Sequence, residues 1–200
     1  MSKRVKVAFA GQSGVGKSSI VYRFFNDHMR KESLTIGVSF MSKKISHNNE
    51  EISIDIWDTA GQERYQAMSS FYFRGARYCF LVFDLSDIDS IYSIVKWKKI
   101  CDNAMTDLSP DPIYLLIGNK SDIQSREVSR SIIDMCCKNN NITHYFEVSA
   151  YNGNGIPTVL DYLINHIIDN DTALSPHTTE HGIIYNDDSP NPSYCSCQLY

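Results

Sequence analysis

The sequence predicts an α/β fold: a six-stranded, mostly parallel sheet with one antiparallel edge strand and helices on both faces. Two observations lead to this prediction. Strand-like apolar runs alternate with helical segments, and the runs 78–83 and 113–117 have the near-continuous apolarity of strands buried on both faces. An early pair of strand-like runs, joined by a short polar turn, supplies the antiparallel edge. Ligands bind such sheets at the carboxyl ends of the strands.

The elements follow one another in a regular order. The predicted strands are 5–10, 36–45, 52–57, 78–83, 113–117 and 144–148. The predicted helices are 18–25, 90–105, 126–138 and 156–168. Helical spacing is clearest in the last one, where four aliphatic side chains share one face: Leu160, Leu163, Ile164 and Ile167. Residues 63–74 show no clear period and fit an irregular helix.

Composition restricts the classes of function. A net charge of −4 gives no electrostatic reason for nucleic-acid binding, and no apolar run approaches the roughly 20 residues of a membrane-spanning helix. We therefore expect no nucleic-acid partner. The domain itself is expected to be monomeric. Four cysteines lack metal-ligand spacing and are expected to be buried, reduced thiols of a cytoplasmic protein: Cys79, Cys101, Cys136 and Cys137.

A glycine-rich loop lies between the first strand and the first helix. Gly11, followed after four residues by Gly16-Lys17-Ser18, is the pattern of a phosphate-binding loop. Glycines let backbone N–H groups approach phosphate oxygens, Lys17 can reach the terminal phosphates, and the Ser18 hydroxyl can bind Mg²⁺. The residues expected to contact the phosphates are Ser13, Gly14, Val15, Gly16, Lys17, Ser18 and Ser19.

A second loop with candidate site residues follows the third strand. Asp58 closes this apolar strand, where its carboxylate can hold Mg²⁺, usually through a water. Gly61 lets a backbone N–H approach the γ-phosphate, and the Gln62 amide can orient an attacking water. The alternatives are a helix N-cap for Asp58 and a solvated surface position for Gln62. Both alternatives are less favoured in a chain that also contains a phosphate-binding loop.

The loop after the fifth strand reads Asn119-Lys120-Ser121-Asp122. The Asp122 carboxylate can accept hydrogen bonds from the N1–H and 2-amino groups of guanine, a pair of donors that adenine lacks. The Lys120 stem can lie along the purine, and Asn119 can tie this loop to the phosphate loop. Ser149-Ala150 follows the sixth strand and can add a backbone N–H for the guanine O6. Together these residues predict a guanine-nucleotide site.

With these motifs in this order, the chain resembles the Rab family of Ras-like small GTPases over about residues 4–170. The matching motifs are 11–18, Thr35, 58–62, 119–122 and 149–150. Rab-like details occur in the segments 36–40, 57–65 and 70–76. The resemblance implies a Ras-like P-loop domain that binds GTP or GDP with Mg²⁺, and it implies that Thr35 is a ligand of Mg²⁺ in the GTP state.

The resemblance also implies a function. A Rab is a molecular switch of vesicle and membrane trafficking, which hydrolyses GTP slowly and meets effectors, an exchange factor and a GTPase-activating protein. Gln62 and the Thr35 carbonyl would place the attacking water, with Lys17 stabilising phosphate charge. Phe40, Trp57 and Tyr72 would form the aromatic patch that effectors contact; ordinary core packing is the alternative.

Several positions depart from the family pattern. Ser39 stands where most Rabs have Asp, Gln12 stands where many have Asp, and the segment from Lys17 to Thr35 is one residue shorter than in typical Rabs. The aromatic residue that covers the guanine in the family is replaced by Met29 or His28. These differences concern effector identity and loop geometry rather than the class of protein.

The last part of the chain has a different composition. We expect a GTP-binding domain over residues 1–170 and a disordered, hypervariable tail over 171–200, because the tail is too polar to form a core. Cys195 and Cys197 resemble the doubly prenylated tail of Rabs, although Tyr200 is an unusual last residue. A prenyl transferase and reversible attachment to the cytosolic face of an intracellular membrane follow from this. The alternative is a flexible tail with free thiols.

Two other functions share the phosphate loop. A P-loop kinase would pass phosphate to a small acceptor, but it would need a lid with arginines and would gain nothing from Asn119–Asp122. A nucleotide-bound adaptor without turnover would not need Gln62. The motifs therefore favour a GTPase over both.

Overall fold

The computed structural model describes residues 3–26, 28, 38–47, 50–59, 72–105 and 111–170. Its strands are β1 Lys3–Ala10, β2 Val38–His47, β3 Glu50–Thr59, β4 Tyr78–Asp84, β5 Ile113–Asn119 and β6 His144–Glu147. Its helices are α1 Lys17–Phe25, α2 Ile88–Tyr92, α3 Ile94–Ala104, α4 Arg130–Asn139 and α5 Ile156–Asn170. The six strands form one sheet in the order β2-β3-β1-β4-β5-β6.

The sheet has the predicted strand directions. β2 and β3 pair in antiparallel fashion, with Phe40 opposite Trp57. The other neighbouring pairs are parallel. Every residue of β4 is buried, as its apolar run predicts. The predicted α/β fold with one antiparallel edge strand is therefore confirmed.

Helices cover both faces of this sheet. Val7 and Phe9 of β1 belong to a core with residues of α1 and α5, whereas Ala8 and Ala10 point to the opposite core beneath α2, α3 and α4. This alternation is the two-residue period of a strand buried on both faces. In the first core the Phe24 ring of α1 packs edge-on against Phe80, with ring centroids 6.1 Å apart. The packing fixes α1, and with it the loop that precedes α1, at the carboxyl ends of the strands.

The helix predicted over 90–105 is two helices. α2 begins earlier, because the Asp87 side chain caps it by accepting a hydrogen bond from Asp89 N at 3.0 Å. The helix is interrupted at Ser93, between the end of α2 at Tyr92 and the start of α3 at Ile94, and the Ser93 hydroxyl donates to Ser90 O at 2.7 Å. The single-helix prediction was wrong at this position.

The helix predicted from residue 126 begins four residues later, at Arg130. The reason is tertiary: Glu127 N and Val128 N both donate to Leu85 O, at 3.0 and 3.1 Å. This segment therefore extends the contacts of β4 instead of opening a helix. The segment predicted as an irregular helix lies mostly outside the described residues; of those described, Tyr72 and Phe73 are helical.

The four cysteines named above are free thiols. Cys79 of β4 and Cys101 of α3 are fully buried, and their sulfurs lie 3.3 Å apart. Cys136 and Cys137 are only half-buried, so the prediction of four buried thiols was wrong for this pair. Within the described ranges, no cluster of three or more metal-ligating side chains occurs. The helices in this part of the chain are too short or too polar to cross a bilayer.

Candidate active site

The phosphate loop depends on glycine at two positions because its backbone passes close to neighbouring elements. Gly11 has φ 147° and Gly16 has φ 95°, values that side-chain-bearing residues rarely adopt. A Cβ at Gly11 would lie 2.2 Å from the Val82 carbonyl oxygen, and one at Gly16 would lie 2.2 Å from Asn119 Nδ2. The loop therefore fits tightly between the ends of β4 and β5, directly before the N-terminus of α1. That terminus favours an anion.

Lys17 is held against this loop. Its side chain is 5% exposed, and its Nζ donates to Gly11 O and Gln12 O, both at 2.8 Å. Burial lowers the pKa of Lys17 to about 8, an effect that the nearby charge of Asp58 partly offsets. The ammonium group thus lies in a poorly hydrated position beside the loop. Phosphate oxygens placed there would be stronger partners than the two carbonyls.

Asp58 is the penultimate residue of β3 and lies at the end of this strand next to the phosphate loop. It lies opposite Phe9 in the pairing of β1 with β3, it is 1% exposed, and its charge acts on Lys17. Ser18 is half-buried in the first turn of α1. A hydroxyl and a carboxylate are the hard oxygen ligands that Mg²⁺ prefers, so the residues present fit this ion. Thr35, Gly61 and Gln62 lie outside the described residues, and their roles stay predictions.

Asn119 connects the phosphate loop to the predicted guanine loop. The side chain is 1% exposed, and its Nδ2 donates to Val15 O at 2.8 Å. Its Oδ1 accepts a hydrogen bond from Ala150 N at 3.1 Å. The predicted tie between the two loops is therefore present. Because the Ala150 N–H already has a partner, a contact with the guanine O6 would have to share or replace that bond.

Asp122 is oriented by Ser149. The buried Ser149 hydroxyl donates to Asp122 Oδ1 at 2.5 Å, and it also accepts from Asn152 N at 3.1 Å. Asp122 itself is exposed. A carboxylate fixed by one oxygen in this way presents the other in a defined direction.

The Lys120 ammonium has a partner that the sequence did not reveal. Its Nζ lies 2.5 Å from Oδ2 of Asp84, the residue that closes β4. Burial alone would raise the pKa of Asp84, but hydrogen bonds from Lys120 and Ser86 lower it overall. Asp84 lies at the carboxyl end of a buried strand, as Asp58 does in β3, and this shared position could have marked Asp84 as a site residue from the sequence. Lys120 also has φ 64°, a left-handed conformation that is uncommon for lysine.

The three aromatic residues predicted to meet effectors form one patch. The Phe40 and Trp57 ring centroids are 5.2 Å apart, and those of Trp57 and Tyr72 are 6.0 Å apart. Phe40 is 50% exposed, so the patch is not ordinary core packing. Lys6 supports it from one side: its Nζ lies 4.5 Å from the Trp57 ring centroid and donates to Arg74 O at 2.7 Å.

Comparison with known proteins identifies the family. A model of the Ras family matches residues 6–169. The chain belongs to the Ras family. Its relatives include Ras-related proteins Rab-9A and Rab-7L1 of Rattus norvegicus, which are 29% identical over 98% of both chains and 31% identical over 96% of both chains, respectively. GTP-binding protein YPT53 of Saccharomyces cerevisiae is 34% identical over 80% of this chain and 74% of its own. The protein is thus a Rab-like small GTPase, which binds guanine nucleotides and hydrolyses GTP.

Because Lys17 is buried, we expect the affinity of this Rab-like GTPase for GDP to depend on pH. The pKa of Lys17 is about 8 without phosphate, and phosphate oxygens raise it by favouring the charged form. Below pH 8 the ammonium is charged in both states. Above pH 8 binding must take up a proton, so the affinity falls by up to about tenfold per pH unit until the pKa of the bound state is reached.

Calorimetry at pH 8.5, in two buffers with different ionisation enthalpies, measures this proton uptake. We expect more than about half a proton per GDP at pH 8.5 and much less at pH 7. Equal uptake at the two pH values would contradict the buried position of Lys17 in the phosphate-free protein.

Proposed function

We propose that this Rab-like GTPase is a Mg²⁺-dependent switch that recruits effectors to the cytosolic face of an intracellular membrane in vesicle trafficking. The main support is Asn119, whose two hydrogen bonds join the phosphate loop to the loop that follows β6. One nucleotide can reach from Lys17 in the phosphate loop, at its phosphates, to Asp122 in the loop that Asn119 begins after β5, at its base. A kinase that passes phosphate to a small acceptor would not need this second loop.

Different site residues then have different roles in hydrolysis. Lys17 and the backbone N–H groups of its loop stabilise negative charge on the phosphates. Gln62 and the Thr35 carbonyl orient a water for in-line attack on the γ-phosphorus. The bond from this phosphorus to the β–γ bridging oxygen breaks, and GDP keeps that oxygen. Ser18, Thr35 and Asp58 would hold Mg²⁺, which supplies further neutralisation of the β- and γ-phosphate oxygens when bound.

Single-turnover hydrolysis of GTP by the purified chain tests this mechanism. We expect a rate on the order of 10⁻⁴ s⁻¹, because no arginine is obviously placed in the sequence to complete the site from within the chain. A rate equal to that of GTP in buffer alone would favour a nucleotide-bound adaptor instead. A rate that depends on an added small acceptor would favour a kinase.

Effectors are proposed to bind the aromatic patch of Phe40, Trp57 and Tyr72. In the sequence, Phe40 lies five residues after Thr35 and Trp57 lies five residues before Gln62, so a change in these segments on hydrolysis would alter the surface around the patch. Exposed, clustered aromatic side chains are typical of the anchors in protein interfaces. An exchange factor and a GTPase-activating protein are the further partners that such a cycle needs.

The tail is proposed to attach the protein to the membrane. Residues 171–200 would form a disordered segment beyond the domain of residues 1–170, and a prenyl transferase would modify Cys195 and Cys197. Two lipid chains are needed for stable anchoring, and residues 171–200 contain no lysine or arginine to assist them.

Replacing both Cys195 and Cys197 with serine is expected to move the protein from membranes to the cytosol. Nucleotide binding should stay as in the parent, because neither residue belongs to the site described above. Fractionation of cells expressing each form, with GDP binding as the control, measures the shift. Unchanged membrane association of the double variant would show that lipidation of these cysteines is not the anchor.

A further inference from the structure

Arg23 joins the helix that carries Lys17 to the loop after β6. This arginine lies in the second turn of α1, and the loop is 127 residues further along the chain. Its Nε donates to Ala150 O at 2.9 Å, and its Nη2 donates to Tyr151 O at 2.5 Å. A guanidinium group can bind two neighbouring carbonyls at once because its donors have a fixed, planar arrangement.

The loop that Arg23 holds is the one that orients the predicted base-reading groups. Ala150 is bound on both sides: its N–H donates to Asn119 Oδ1, and its carbonyl accepts from Arg23. The preceding residue, Ser149, donates to Asp122. Movement of the Ala150 and Tyr151 peptides would therefore displace Ser149 and release the carboxylate of Asp122.

The same arginine connects the two predicted ends of the nucleotide site. Lys17 and Arg23 are six positions apart in the same helix, and this helix is packed on the sheet through Phe24. The predicted phosphate end of the site lies at the start of α1. A contact from the second turn of this helix holds the loop at the predicted base end. Asn119 makes the other connection, from the β5 side.

We propose that Arg23 is a positioning residue for guanine recognition, which holds the Ser149–Tyr151 loop against α1 so that Asp122 and Ala150 face the base. The proposal rests on the proposed function, in which Asp122 reads guanine. Loss of the guanidinium lets the loop move, and the contacts with the base weaken while the phosphate loop keeps its own contacts. Arg23 itself does not have to touch the nucleotide.

The first measurement is the release of a fluorescent GDP analogue from the protein loaded with Mg²⁺ and the analogue. Arg23→Met keeps a long apolar stem but removes all donors, and about tenfold faster release is expected from the loss of two charge-assisted hydrogen bonds. Arg23→Lys keeps one donor and should fall between Arg23→Met and the parent. Release from Arg23→Met and Arg23→Lys at the parent rate would overturn the proposal.

The second measurement separates positioning from general loosening of the fold. IDP lacks the 2-amino group of GDP but has the same phosphates, so the ratio of GDP to IDP affinity reports the Asp122 contact. We expect this ratio to fall several-fold in Arg23→Met. An unchanged ratio with faster release of both nucleotides would mean that Arg23 has only a structural role.

Arg77→Met is the matched control. Arg77 also donates from its guanidinium to a backbone carbonyl, that of Asp111, but at the opposite end of the sheet. This variant should keep the parent release rate and the parent ratio; a ratio that falls equally in both variants would overturn the proposal. A parent protein with no preference for GDP over IDP would instead refute the role of Asp122, and this outcome is distinct from failure of Arg23 alone.

Discussion

The Asp122→Asn variant is expected to lose about 100-fold in GDP affinity and to gain affinity for XDP. The carboxylate accepts hydrogen bonds from the guanine N1–H and 2-amino groups, each contributing about 1.5–3 kcal/mol as a bond to a charged group. Asparagine keeps an oxygen that can accept from the Ser149 hydroxyl, so the side chain should stay oriented. Its amide then donates to the 2-oxo group of xanthine.

Competition of GDP and XDP against a fluorescent GDP analogue measures the change. Asp134→Asn is the matched control, because Asp134 is an exposed carboxylate on α4 that pairs with Arg130 instead of a base-reading group. The control should keep the parent preference. If the affinity of Asp122→Asn for XDP does not rise and its affinity for GDP does not fall, a group other than Asp122 recognises the base.

The Gln62→Leu variant is expected to abolish stimulation by a GTPase-activating protein. Leucine has a similar volume but no amide to orient the attacking water. An activating protein stimulates hydrolysis by Ras-like proteins by about 10³–10⁵-fold, so the expected loss of the stimulated rate is large. The decrease in the slow unaided rate should be smaller. The GTP-bound form should therefore accumulate in the presence of the activating protein.

Single-turnover hydrolysis with and without an activating protein that is active on the parent measures this effect. Gln124→Leu, at an exposed position near the base side of the site, is the control and should be stimulated like the parent. Full stimulation of Gln62→Leu would exclude Gln62 from the mechanism.

The sequence predicts the frame of the site well because its motifs depend on local backbone chemistry. Gly16 and Asn119 illustrate this: the loop needs a residue without a Cβ at the point where the Asn119 amide approaches within bonding distance of Val15 O. The interior position of β4 was also accessible, since a strand with an apolar run of this length is buried on both faces and must lie inside the sheet.

The contacts of long polar side chains could not be predicted in the same way. Nothing in the sequence says that Lys120 selects the carboxylate of Asp84, or that Arg23 reaches two carbonyls 127 and 128 residues away. Such choices depend on where the fold places each group. The prediction of helix starts is limited for the same reason. The backbone N–H groups of Glu127 and Val128 donate to the Leu85 carbonyl, and α4 begins only after them.

Selectivity between GDP and ADP tests the central claim most directly, since it depends on the two joined loops as a whole. The full chain is loaded with a fluorescent GDP analogue and titrated with each unlabelled nucleotide in the presence of Mg²⁺. Because the phosphates are identical, any difference comes from the base. We expect GDP to displace the analogue at a concentration at least about 10³-fold lower than ADP, as a site built to hydrogen-bond its ligand rejects an analogue without the matching groups. Displacement by ADP at a similar concentration would contradict the assignment of the Asn119–Asp122 loop as a guanine site.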